Sequence, residues 1–242
     1  MPASRPPASR QKVSRPAAPT PILPAKTLPR LIESDDDIKV GILALRRKCP
    51  VIRRMHDAAG HPPLRRRQAG FEGLARIIVG QQLSVASASA IWTRTFETVQ
   101  PFDAPGLLGK SEAQLRAAGL SGPKIRTLTA MAREVAVAGL DLGRLDHLTD
   151  DEVRAAVTRI SGVGPWTADV FLMFCLGRAD VFAPGDLALQ VAAQLAMDLD
   201  KRPSSQELAE IAERWRPWRG VAARLLWAYY KVVKDAKSGV PV

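Results

Sequence analysis

From position 38 onward, apolar residues recur at three- and four-residue intervals between short polar or Gly/Pro breaks, and no stretch alternates strictly between apolar and polar positions. The pattern predicts helix after helix. The first covers 38–47, capped by Asp35 to Asp37; the next covers 71–79, with Phe71, Leu74, Ile77 and Ile78 at helical spacing; an Ala-rich segment over 84–99 follows Gly80. Ser111 with Gln114 reads as a capping box for 111–118, Pro123 opens 123–137, and Asp150 caps 151–160. Pro165 opens 166–176, Asp186 caps 187–199, Ser205 with Glu207 starts another helix, and the last long one follows Pro217. The segment 166–176 is apolar nearly all round, with Asp169 its only charge, so most of it belongs inside the protein. The predicted fold class is all-α, with one helical domain over residues 36–236.

Composition narrows the classes. The chain has 242 residues, 46% of them apolar, enough for a packed core. Its longest uninterrupted apolar run, Val170 to Leu176, is far short of the roughly 20 residues a membrane-spanning helix needs, and no secretory pattern follows Met1. Cys49 and Cys175 alone exclude a disulfide scaffold and any four-cysteine zinc or iron-sulfur site, and point to a reducing compartment. His56, His61 and His147 lack ligand spacing with the cysteines, so no transition-metal site is expected.

Charge is uneven. The net charge is +11, and residues 1–30 carry six basic side chains with no acid, together with eight of the 19 prolines. That composition predicts a disordered basic tail over residues 1–35. An acid-free Arg/Ser start also suits an organelle transit peptide, although proline at this density opposes the amphipathic helix such peptides use. A second basic cluster runs from Arg46 to Arg67 with Asp57 as its single acid. Such runs are often only solvated faces, but two of them make a polyanion, and nucleic acid first, the partner to consider. Prolines at 50, 62 and 63 oppose a membrane-binding amphipathic helix there.

The most informative stretch is Ile160-Ser161-Gly162-Val163-Gly164-Pro165-Trp166-Thr167-Ala168. One helix stops, two glycines turn the chain, and a proline-started helix resumes. Backbone N–H groups exposed at such a hairpin, beside the positive end of the new helix, suit an anion such as phosphate. For the two glycines taken alone, a tight helix-helix turn is the readier account. Asp186, just before an apolar-periodic segment, has the position of a helix N-cap. Asp169 in the first turn of its helix is explained by the helix dipole, and Lys124 after Gly122-Pro123 reads as a solvated lysine.

Ser161 to Ala168 resembles the helix-hairpin-helix of the HhH-GPD superfamily of DNA glycosylases, and Leu176 to Asp186 (LGRADVFAPGD) resembles the segment carrying that family's catalytic aspartate. Phe71 to Ser84 (FEGLARIIVGQQLS) and Arg214 to Arg219 (RWRPWR) are similar to its 3-methyladenine DNA glycosylase II (AlkA-type) branch. Together the four motifs cover most of residues 60–232 in the family's order. The resemblance implies a two-lobed helical fold with its active site in the cleft between lobes, in the compact form that lacks an N-terminal β-rich domain. It implies a base excision repair enzyme that flips an alkylated purine, of the 3-methyladenine or 7-methylguanine kind, out of double-stranded DNA and hydrolyses its bond to deoxyribose. By position Asp186 would be the catalytic carboxylate, stabilising positive charge on the sugar and activating water; the capping role is compatible with that. Asp180 is expected to be structural.

The same resemblance assigns Trp166 and Trp227 to the base pocket, Gln82 to the gap left by the flipped base, and Gly162, Val163, Gly164 and Thr167 to the DNA backbone. Gln81 and Gln82 also suit a backbone-satisfying role at the helix break. Trp218 and Tyr229 are expected to pack the lobe. Strand-cleaving relatives place a lysine two residues beyond the second hairpin glycine; here that residue is Trp166, which cannot form an imine, so a monofunctional enzyme is implied. Val170 and Leu187 stand where well-known relatives have aromatic rings, and Gly185 where many have an acid. No cofactor is required, although hairpins of this family often hold a monovalent cation on backbone carbonyls. The expected state is a monomer without membrane association, cytoplasmic with the nucleoid in a bacterium and nuclear or organellar in a eukaryote. The alternative from another class is a non-catalytic helix-hairpin-helix protein that binds damaged DNA.

Overall fold

The computed structural model describes residues 29–238, and among these every regular element is helical. Helices α1 (Asp35–Lys48) and α2 (Pro50–Ala59) pack with the C-terminal helices α10 (Leu187–Met197), α11 (Ser205–Ala212) and α12 (Arg219–Ser238) to make one lobe. The other lobe holds α3 (Gly70–Gly80), α4 (Val85–Thr98), α5 (Ala104–Leu108), α6 (Glu112–Ala117) and α7 (Gly122–Ala136). Helix α8 (Asp150–Thr158) joins it through α9 (Pro165–Phe174), which also packs on α3. Helix α9 is the buried axis of the molecule: every side chain from Thr167 to Phe174 lies inside. This is the two-lobed all-α architecture expected from the sequence.

Several starts follow the expected capping chemistry. Ser111 and Gln114 cap α6 reciprocally, and Asp186 caps α10. Two helices escaped the sequence reading. Pro50 is not an interruption of a basic run; it occupies the first turn of α2, where its missing N–H costs nothing, and Ile52 and Met55 go into the core. The five-residue α5 is too short to show a period. Helix α9 stops at Phe174 rather than 176, because Leu176 donates back to the Phe171 carbonyl and Gly177 turns the chain at φ +73°.

The expected 1–35 tail is shorter at its inner end. Ile32 is fully buried, its N–H donates to the Gly177 carbonyl at 2.7 Å, and the Ala179 N–H donates to the Arg30 carbonyl at 2.9 Å. Gly177 is needed for this strap, since a Cβ there would lie 2.9 Å from the Ile32 carbonyl oxygen. The rest of the expected tail, residues 1–28, lies outside the described residues.

Several arginines of the Arg46 to Arg67 cluster bond to the protein's own groups, although most of the cluster stays exposed. Arg46 pairs with Asp57, Arg53 donates to the Arg46 carbonyl and Arg54 to the Ala196 carbonyl. Helix α9 ends with unsatisfied carbonyls at its negative pole. Arg224 of α12 donates to the Met173 carbonyl at 2.8 Å, the backbone N–H of Arg67 to Phe174 at 2.9 Å, and Arg66 to Cys175 at 2.8 Å. Arg224 is buried with carbonyls as its hydrogen-bond acceptors and the Phe174 ring 4.7 Å away, and burial brings its pKa down to about 10. It remains a cation at neutral pH. A ten-residue α9 is about 15 Å long, so these arginines serve the end opposite Trp166.

Two carboxylates fasten the segments around α9. Asp180 accepts from Arg216 at 2.7 Å and from Arg219 at 3.0 Å, the structural role expected for it. Asp169 is more than a dipole partner: it accepts from Arg154 of α8 at 2.8 Å and is almost fully buried. Burial raises the Asp169 carboxyl pKa, and Arg154 works against that rise. With the folded value above the unfolded one, the native state keeps the proton longer, so stability is lost as pH climbs through that window. Removing Arg154 widens the window. Arg154→Met is therefore expected to cost about 2 kcal/mol at neutral pH in urea unfolding, with the deficit shrinking as pH falls into the carboxylate range. A deficit independent of pH would show that packing, not charge, joins α8 to α9.

Candidate active site

A cleft of about 780 Å³ opens where the lobes meet. Its walls are the α3–α4 turn (Gln81, Gln82, Leu83), the α8–α9 hairpin (Gly162, Gly164, Trp166, Thr167), the start of α10 (Gly185 to Ala188) and Tyr230 of α12.

The two hairpin glycines do different work. Gly162 has φ +88°, and a Cβ there would come 2.0 Å from Thr127 Oγ1 of α7, so both conformation and packing demand glycine. Gly164 has an ordinary extended conformation and nothing within 4 Å of the same position. Its face is open to the cleft, and the N–H groups of the first turn of α9 follow it. Val163 points inward, is 5% exposed, and donates its N–H to the Ile160 carbonyl at 2.9 Å. Thr167 is also inside, where its hydroxyl accepts from Gln81 Nε2 at 2.8 Å. Val163 and Thr167, both expected at the DNA backbone, direct their side chains inward, to the core and to the α3–α4 turn.

That turn separates its two glutamines. Gln81 is spent on Thr167, whereas Gln82 is exposed at the mouth of the cleft in the left-handed region, φ +57°, a conformation costing a non-glycine residue about 1 kcal/mol. Lys124, expected to be solvated, instead donates to the Val79 carbonyl at 2.6 Å and caps the end of α3, with burial lowering its pKa. The turn is thus tied to α9 on one side and to α7 on the other.

Asp186 stands at the bottom of this arrangement, half-buried. Its Oδ1 accepts from the Leu189 N–H at 3.0 Å, as an N-cap should, and also from Trp227 Nε1 at 3.1 Å; its Oδ2 accepts from Trp166 Nε1 at 2.8 Å. Capping and a fixed, solvent-facing carboxylate therefore coexist in one side chain. Trp166 lies on the cleft wall as expected. Trp227 reaches Asp186 from behind, with its ring 5.5 Å from that of Phe174, and it is Tyr230, one turn further along α12, that lines the cleft. Spacing along α12 was the available signal for Tyr230, since residues three apart share a helix face.

Other candidates lie elsewhere. Trp218 is buried beneath Arg30, 4.7 Å from its ring, and Tyr229 packs on the core, as expected of both. The Cys175 thiol is pushed up to about 12 by burial and is no nucleophile. Among the described residues no cluster of His, Cys, Asp and Glu could hold a metal ion.

The chain is similar in sequence and fold to known proteins. Residues 75–217 match the family described as HhH-GPD superfamily base excision DNA repair protein. DNA-3-methyladenine glycosylase 1 of Schizosaccharomyces pombe is 30% identical over 177 residues, which span 71% of this chain and 77% of that protein. The Bacillus subtilis protein YfjP is 27% identical over 165 residues, 65% of this chain, and the match spans 58% of its length. The structure of the S. pombe 3-methyladenine DNA glycosylase Mag1 in complex with abasic DNA superimposes with a TM-score of 0.72 at 26% identity, covering 78% of this chain and 95% of that one. The chain belongs to the HhH-GPD superfamily of base excision DNA repair proteins.

The asymmetry of the hairpin is testable in the free protein. Gly162→Ala is expected to lose about 2 kcal/mol, lowering Tm by roughly 4–8 °C for a domain of this size, whereas Gly164→Ala should stay within about 0.5 kcal/mol of wild type. Equal losses at the two positions would remove the distinction between a packed and an open glycine.

Proposed function

We propose that this protein is a monofunctional DNA glycosylase that removes alkylated purines from duplex DNA and leaves an abasic site. The observation that carries the proposal is the Asp186 carboxylate, fixed by two indole N–H groups and a backbone amide at the base of a cleft walled by the hairpin. A stacked base hides its glycosidic bond, so the nucleotide must be extruded into the cleft. Gln82, exposed at the mouth, then fills the gap in the stack, and the open face of Gly164 with the α9 amides receives a backbone phosphate. Gly162 and Val163 shape that face from within, and Thr167 steadies the Gln82 turn through Gln81.

As the glycosidic bond breaks, its electron pair leaves with the base and positive charge develops on the sugar, where Asp186 stabilises it. Water adds to the sugar carbon and gives its proton to the carboxylate or to solvent. A base that is already cationic leaves without protonation, and Trp166 offers a π face to it; 3-methyladenine and 7-methylguanine are of this kind. Trp227 acts behind the carboxylate as a positioning residue, and Tyr230 faces the base. Support for the monofunctional reading comes from position 166, where tryptophan cannot form an imine with the sugar, and from a cleft lining without lysine among the described residues. The reading uses water and no cofactor. Its partner is double-stranded DNA bound by a single copy of the chain, and no helix among the described residues is long and apolar enough to cross a membrane.

Release of free base from methylated duplex DNA, with nicks scored before and after alkali, tests the assignment. Wild type is expected to release methylated purines and to yield nicks only after alkali, and Asp186→Asn to release base about 1000-fold more slowly while still binding DNA. Trp227→Phe keeps the ring against Phe174 but removes one donor, so its rate should fall about tenfold with little change in DNA affinity. If wild type binds damaged DNA but releases no base, the protein is a damage-binding module and the catalytic roles fall. Nicks before alkali would overturn the monofunctional assignment.

A further inference from the structure

The α8–α9 hairpin has a second side. Ser161, the residue before Gly162, lines a groove of about 460 Å³ on the α6–α7 face of the lobe, away from Trp166. Lys110, Arg126 and Arg133 line the same groove, together with Glu112. Its one acid is already neutralised: Glu112 Oε1 is 2.6 Å from Arg116. Nearby Glu134 faces Arg159 at 3.4 Å. Lys110, Arg126 and Arg133 have no carboxylate partner among the described residues. Arg126 and Arg133 are exposed, and the guanidinium of Arg126 lies 3.4 Å from where a Cβ on Gly122 would stand, with that of Arg116 at 3.3 Å.

In the basic cluster that dominates the sequence, Arg46, Arg53, Arg54 and Arg66 bond instead to the protein's own carbonyls and Asp57. Here three cations without a carboxylate partner among the described residues line one groove. A row of phosphates, one per about 3.4 Å of duplex axis along a strand, is complementary in charge and spacing to such a line of cations. The groove and the cleft share the hairpin as a common wall, with Ser161 on one side and Gly164 on the other.

We propose that the groove between α6 and α7 binds the sugar-phosphate backbone of the duplex flanking the cleft, continuing from the hairpin past Ser161 to Lys110, Arg126 and Arg133. The inference rests on the reading of the chain as a protein that acts on duplex DNA. These cations contact phosphates rather than base edges, so they contribute affinity without sequence preference. They also set the footprint to one side of the flipped nucleotide, because the groove lies on one side of the hairpin.

The test uses the full chain and a duplex of about two helical turns carrying a methylated purine, with affinity measured across a salt series and base release scored in the same samples. The variants are Arg126→Gln/Arg133→Gln, Lys110→Gln alone, and the charge-keeping Arg126→Lys/Arg133→Lys. Removing two phosphate contacts should flatten the slope of log affinity against log salt by about 1.8, Lys110→Gln by about 0.9, and the lysine pair should keep most of the wild-type slope. Moving the lesion toward one end of the duplex should abolish the difference between wild type and the glutamine pair, and moving it toward the other end should preserve it. Wild-type slopes in both glutamine variants, in protein that still releases base, would overturn the groove and leave the glycosylase reading intact. Flattened slopes in protein that releases no base would keep the groove and overturn the enzyme. Loss of affinity in the lysine pair equal to that in the glutamine pair would also overturn the proposal, since it would trace the effect to side-chain shape rather than charge.

Discussion

Everything at the site depends on how the Asp186 carboxylate is held at the edge of the cleft. One donor comes from its own helix, one from the start of α9 and one from the middle of α12, so three elements must arrive together for the site to exist. Two of the donors are indoles, which fill apolar space while offering a single N–H. The result is an anion that is held in place yet faces the cleft. The two lobes are thus joined at the site itself, and relative movement between them would be felt first at these hydrogen bonds.

The same constraint explains the internal use of arginine. Helix α9 must be buried to carry Trp166 to Asp186, and a buried helix needs partners for its last carbonyls. Arg66 and Arg224 supply them together with the Arg67 backbone, while Asp169 with Arg154 and Asp180 with Arg216 and Arg219 tie down the flanking segments. Positive charge is spent on fixing the axis, and the groove beside the hairpin is lined by cations on α7 and just before α6 that have no carboxylate partner among the described residues.

Much of this was legible in the sequence because helix ends carry local chemistry. Ser111 with Gln114, Pro165 after Gly164, and Asp186 before an apolar run act on their own neighbours, so they read correctly without knowledge of the fold. Contacts between distant segments did not read. Nothing near Thr167 reveals that Gln81, 86 residues away, will take its hydroxyl, nor does anything near Lys124 point to the Val79 carbonyl. The Arg46 to Arg67 run is largely surface, as its charge suggests, but the carbonyls that Arg53, Arg54 and Arg66 bond are not visible in a sequence. Trp227 and Tyr230 share one face of α12, and which of the two lines the cleft is set by packing.

The claim at the centre is that Asp186 faces the developing cation on the sugar. Its most direct test is the affinity of the protein for two duplexes that differ only at the lesion, one carrying a positively charged pyrrolidine in place of the sugar and the other a neutral tetrahydrofuran. Wild type should prefer the pyrrolidine duplex by about tenfold or more, and Asp186→Asn should lose that preference while keeping its affinity for the neutral one. Equal affinity of wild type for the two duplexes would mean that the carboxylate does not meet the sugar, and the site described above would not be the place where the bond is broken.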